Sequence, residues 1–174
     1  MIDETAGPTD DGAPKPGGLT KFSGRGEFQA ALRSMFERAA EEGWSEMVWS
    51  DPDFGDWLLG ERASIDLLNQ WAGHGRRLIL LAGRYDVLMQ RHARFVAWRK
   101  TWDHLLDCRQ SRSGDPGSTP SAIWGRSAML SRNDVDRCVG VQSDDPGRRL
   151  RLRQELDEWL AESMPAFPAS TLGL

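Results

Sequence analysis

The run Arg77-Leu-Ile-Leu-Leu-Ala82 constrains the fold more than any other stretch of this chain. It leaves no polar face, so it predicts a strand covered on both sides, as in the interior of an α/β sheet. Helical stripes flank it. From Glu27 to Glu42 the apolar residues fall at Phe28, Ala31, Leu32, Met35, Phe36 and Ala39, and Gly43 stops the helix. A second helix is predicted over Glu61–Ala72, closed by Gly73-His-Gly75. A third runs from Arg84 to about Trp102, with a break near His92 because Arg91 interrupts its apolar side. Further strands are predicted at Ser45–Ser50, His104–Arg109 and Arg137–Val141, and a hairpin of Ala122–Trp124 with Ala128–Leu130 around Gly125. Asp144-Asp-Pro-Gly147 has the Asp cap and early Pro of a helix start, and that last helix ends near Ser163.

Strands alternating with helices imply an α/β fold of three layers: a mixed, mainly parallel sheet with helices on both faces. Residues 1–24 are Gly, Pro, Asp and Thr with almost nothing apolar, which predicts a disordered, dispensable tail. Residues 25–164 form one domain in this reading, and 165–174 a C-terminal extension.

A length of 174 residues suits one core. The formal charge of −4 argues against nucleic acid or an anionic membrane as partner. No apolar stretch approaches the ~20 residues of a membrane span, and the N-terminus lacks the pattern of a secretory signal, so a cytoplasmic location is expected. Cys108 and Cys138 are too few for a disulfide framework and read as free thiols. The excess of 19 Arg over 3 Lys reads as codon bias, and removes most candidates for a lysine nucleophile.

The element order and hydrophobic runs from Phe28 to Ser163 resemble one half of a phospholipase D-like domain. The resemblance implies a strand carrying His-x-Lys with a later Asp, then a Gly-Ser-x-Asn turn. The stretch that would hold that strand, Ser121 to Asn133, contains neither His nor Lys, and Gly140-Val-Gln-Ser143 echoes the turn inexactly. A phosphodiesterase of that kind needs a His nucleophile and a second basic group, so the site would be inactive. The chain also resembles a group of bacterial proteins that end in Leu-Gly-Leu, as residues 172–174 do.

In an open α/β sheet ligands bind beyond the carboxyl ends of the strands. Those ends offer Asp51 and Asp53, Arg84, and Arg109, two carboxylates and two guanidiniums that could hold a small anionic or polar ligand, or a metal if the Asp pair faces inward. The plainer reading is that the Asp pair caps a turn and the Arg residues make surface pairs. His74, His92 and His104 have no metal-site spacing, and no metal or cofactor is expected. In the Arg148–Arg153 run, acids one turn on offset the charge, which reads as a solvated helix face. Most tryptophans lie on apolar stripes and read as core. Trp57 and Trp124 lie in or beside loops, and with Arg126 they mark a candidate interface. The expected function is a non-catalytic phospholipase D-like binding or assembly module, a homodimer through the Trp124 hairpin. The alternative is a small phosphate-ester hydrolase using Asp51 and Asp53 with an Arg clamp.

Overall fold

The computed structural model describes residues 17–169. The first sixteen residues of the predicted tail, and the Leu-Gly-Leu end, lie outside the described residues. Helix α1 (Arg25–Glu42) buries the whole predicted stripe from Phe28 to Ala39, and Gly43 ends it in the left-handed region with φ 61°. Strand β2 (Glu46–Asp51) leads to α2 (Arg62–Trp71) and then β3 (Arg77–Ala82), which has the predicted bounds. The predicted break at His92 divides α3 (Asp86–Arg91) from α4 (Ala93–Thr101). Strand β4 (Leu106–Ser111), the hairpin β5 (Ser121–Trp124) and β6 (Met129–Asp134), strand β7 (Val139–Ser143) and α5 (Pro146–Ala161) follow. The Asp145 carboxylate caps α5 by accepting from the Arg148 N–H, with Pro146 in the first turn.

Two strands escape the sequence patterns: β1 (Leu19–Phe22) and β8 (Ser163–Pro165). They form the two edges of one eight-stranded sheet with order β1-β7-β6-β5-β2-β3-β4-β8. Residues 19–22 therefore pair with β7 through their backbone, and the tail predicted to reach residue 24 is corrected at that end.

The expectation of a mainly parallel sheet is also corrected. Only β2–β3 and β3–β4 run parallel, and the other five pairings are antiparallel. The connections supply the reason. Helical crossovers join β2, β3 and β4, which permits parallel neighbours, whereas the short turns joining β5, β6 and β7 enforce antiparallel ones.

Helices do cover both faces of this mixed α/β sheet. Met47 and Trp49 of β2 point into a large core with α1, α2, α3 and α4, while Val48 points the other way. That second face packs Val48, Ile79, Ala122 and Met129 against Leu152 and Leu156 of α5. No described helix is long and apolar enough to cross a membrane.

Candidate functional site

Asp51 ends β2, and its side chain is fully buried. One carboxylate oxygen accepts Arg132 Nη2 at 2.9 Å and Ser121 Oγ at 2.5 Å. The other accepts the backbone N–H groups of Phe54 at 2.8 Å and Asp53 at 3.2 Å. Arg132 stands on β6 with its side chain only 1% exposed, and its Nη1 reaches Asp56 at 2.9 Å. Its guanidinium lies 4.3 Å over the Phe28 ring, and burial lowers while the Asp51 and Asp56 charges raise its affinity for the proton, for a net rise. Every oxygen of Asp51 is thus engaged, leaving none for a metal or an attacking water. Asp53 accepts the Gly55 N–H at 2.8 Å and shapes its own turn.

The four strand-end residues singled out by sequence do not converge. Arg109 donates to Ser163 Oγ at 2.9 Å and to the Ser163 carbonyl at 3.0 Å, pinning the edge strand β8. Arg84 is exposed just past β3. The exposed indole expected at Trp57 is corrected, because the ring is 2% exposed and packs edge-on against Phe54 at 4.7 Å. Trp124 is half-buried against the cluster beneath α5, with Arg153 stacked 4.7 Å over its ring. Arg126 is exposed in the β5–β6 turn. Arg132 was not anticipated, though a signal was there: on β6 it follows the buried Leu130 by two residues, so strand periodicity sends it to the same inner face.

His92 is buried at the α3–α4 break, and its Nε2 lies 2.8 Å from the Phe54 carbonyl, so Nε2 carries the proton and donates. Burial first, then the Arg91 charge, lowers its pKa, against the Phe54 bond and the Asp53 charge. The unfolded chain therefore binds more protons near this pKa, and stability falls as pH drops below about 6.5, the unfolded value. Urea midpoints measured downward from neutral pH should show this loss, and His92→Gln should flatten it. Identical slopes for both proteins would assign the acid sensitivity elsewhere.

The β6–β7 hairpin sets Met129 opposite Ser143 at its open end. A groove of about 780 Å³ opens there, between the last turn of α1, the β5–β6 turn and the start of α5. Its carboxylates are all engaged. Glu42 accepts Arg38 Nε at 3.2 Å, Trp44 Nε1 at 2.7 Å and the Ser127 hydroxyl. Burial pushes its pKa up, yet the bonds from Ser127 and Trp44 and the Arg38 charge outweigh it and hold the carboxyl below its ordinary value. Asp145 caps α5, and Asp144 accepts the Gly17 N–H at 3.1 Å. Of its three guanidiniums, Arg38 is paired with Glu42, and the other two are not so engaged. Among the described residues, neither Arg126 nor Arg149 has a carboxylate within 4 Å. Arg149 donates through Nη1 to the Arg126 carbonyl, while its Nε is buried with no partner.

No protein-family model and no curated protein matches the chain. Solved structures do. TrmBL2, an archaeal chromatin protein whose structure shows a novel mode of DNA binding, aligns with a TM-score of 0.58 at 11% identity, over 90% of this chain and 56% of its own. NucT from Helicobacter pylori aligns with a TM-score of 0.56 at 10% identity, over 85% of this chain and 98% of its own. The phosphatidylserine synthase of Haemophilus influenzae Rd KW20 aligns with a TM-score of 0.54 at 13% identity, over 87% and 40%. This chain therefore spans about half of TrmBL2 and two fifths of the synthase. The exclusion of nucleic acid drawn from net charge is corrected by the first of these, since a DNA-binding chromatin protein contains the same fold. Total charge averages over the surface and is silent about where the arginines gather. At these identities the likeness is one of fold alone, a mixed α/β sheet with helices on both faces.

Proposed function

We propose that this chain is a non-catalytic phospholipase D-like module that binds the phosphodiester backbone of a nucleic acid at the Arg126–Arg149 groove. The observation that carries the reading is the charge balance there: the groove's carboxylates have donors, and of its three guanidiniums Arg38 pairs with Glu42 while Arg126 and Arg149 have no carboxylate within 4 Å among the described residues. Phosphate oxygens are the acceptors a guanidinium fork suits best. The DNA binding described for TrmBL2 supports the same class of partner. The hairpin at the groove carries neither His nor Lys, so bound phosphodiester would meet no nucleophile of the family type. The hydrolase alternative loses its base because Asp51 is locked to Arg132. Self-association through the Trp124 face forms no part of this reading, because Arg153 and the α5 cluster already cover that ring.

Two or three phosphate contacts predict a log–log salt slope of about −2 to −3 for duplex DNA. Fluorescence anisotropy with a labelled duplex of about 20 base pairs tests this at low salt, where such contacts are strongest. Arg126→Ala/Arg149→Ala should weaken binding at least ~10-fold, about 1.4 kcal/mol. Equal binding by the double variant, or none by the wild type, would sink the proposal. Turnover of a bis-aryl phosphodiester would overturn its non-catalytic half.

A further inference from the structure

The carboxyl ends of β3 and β4 open into a second cavity that shares no residue with the groove. Its volume is about 450 Å³, within the range of small-molecule sites. Arg84 follows β3, Gln110 belongs to β4, Met89 lies on α3, and Val96 and Lys100 lie on α4. Phe167 closes one side. It stacks on Tyr85 at 5.0 Å and 16°, and its carbonyl accepts Arg99 Nε at 3.0 Å, so that wall is held in place. Gln110 is also held, donating to the Gly83 carbonyl at 3.3 Å.

Two properties of this cavity point to one class of ligand. The first is electrostatic. Arg84 and Lys100 both line it, and among the described residues neither has a carboxylate within 4 Å, although Asp86 lines the same cavity. Two unneutralised cations in a partly enclosed space raise the local potential for an anion. The second is apolar. Met89, 47% exposed, is one of four exposed large apolar side chains among the described residues, and it lines the cavity with half-buried Val96 and buried Phe167. A bare inorganic anion would leave that wall wet, and a neutral hydrocarbon would leave the cations unanswered.

We infer that this cavity binds an amphipathic organic anion. Its carboxylate or phosphate head meets Arg84 and Lys100, and a short apolar body lies along Met89, Val96 and Phe167. The site sits where open α/β sheets place ligands, beyond the strands' carboxyl ends. It does not depend on the nucleic-acid reading, and the two fail separately.

Isothermal titration of the full chain with octanoate and with octyl phosphate tests it, with octanol and acetate as the headless and tailless controls. The two octyl anions should bind at least ~10-fold more tightly than either control, which is about 1.4 kcal/mol. The tighter of the two identifies the head group. Arg84→Ala/Lys100→Ala should weaken the octyl anions by a similar factor, with the melting temperature of the free protein unchanged because both side chains are exposed. Met89→Ser should weaken octanoate while leaving acetate unaffected. No binding of either octyl anion, octanol binding as tightly as octanoate, or a double variant that binds like the wild type would each overturn the inference. A DNA duplex should not displace octanoate, and displacement would place both ligands in one site and refute the separation made here.

Discussion

Arg132→Met should lower the melting temperature by on the order of 10 °C, a loss of about 3–5 kcal/mol for breaking a buried ion pair in a chain this size. The cost comes from what is left behind. Asp51 is fully buried, and without Arg132 its charge keeps only the Ser121 hydroxyl and two backbone donors. Asp56 loses its inward partner, and the Phe28 face loses the cation above it. A control separates charge from shape. Adding Asp51→Asn to Arg132→Met removes the stranded charge but keeps an acceptor for the Phe54 N–H, and should recover a good part of the loss. Circular dichroism melts of the three proteins measure this. A single-variant loss below about 1 kcal/mol would mean that the site is wetter than a buried pair and behaves like a surface one.

Gly140→Val should cost about 3 kcal/mol or more, at the upper end of overpacking penalties, because the clash is with backbone. A Cβ on Gly140 would lie 2.1 Å from the Ser131 carbonyl oxygen and 2.7 Å from Arg132 Cα, both on the paired strand β6. It would also lie 2.5 Å from the Phe22 ring of β1, the strand on its other side. Neither strand can retreat without opening the sheet. Gly26→Ala provides the contrast. Gly26 lies in the first turn of α1 with nothing within 4 Å of a new Cβ, so alanine there should stabilise by up to ~1 kcal/mol. Urea denaturation of both variants checks the pair, and a Gly140→Val protein as stable as the wild type would show that β6 and β1 do not close on β7 as tightly as this.

The role of Gly140 illustrates the limits of motif matching. In the sequence it opens Gly140-Val-Gln-Ser143, an echo of a catalytic turn; in the structure its lack of a side chain lets three strands close up. Arg132 is the converse case. Nothing around it suggested function, yet it engages the carboxylate on which the hydrolase alternative depended.

What the sequence determined by itself is local. The apolar stripe of α1, the bounds of β3, the break at His92 and the capped start of α5 all follow from periodicities and end signals within about a dozen residues. The tertiary structure decided what depends on partners distant in the chain. Leu19–Phe22 is a strand only because β7, more than a hundred residues on, offers it a free edge, and Ser163–Pro165 only because β4 does the same. The sheet became mostly antiparallel because hairpin turns, rather than crossovers, join its second half. The groove follows the same rule, since its arginines come from α1, the β5–β6 turn and α5, and their charge balance exists only once those three meet. Backbone pairing and charge neutralisation are pairwise properties of distant residues, whereas periodicity is a property of neighbours, and a single sequence displays only the second.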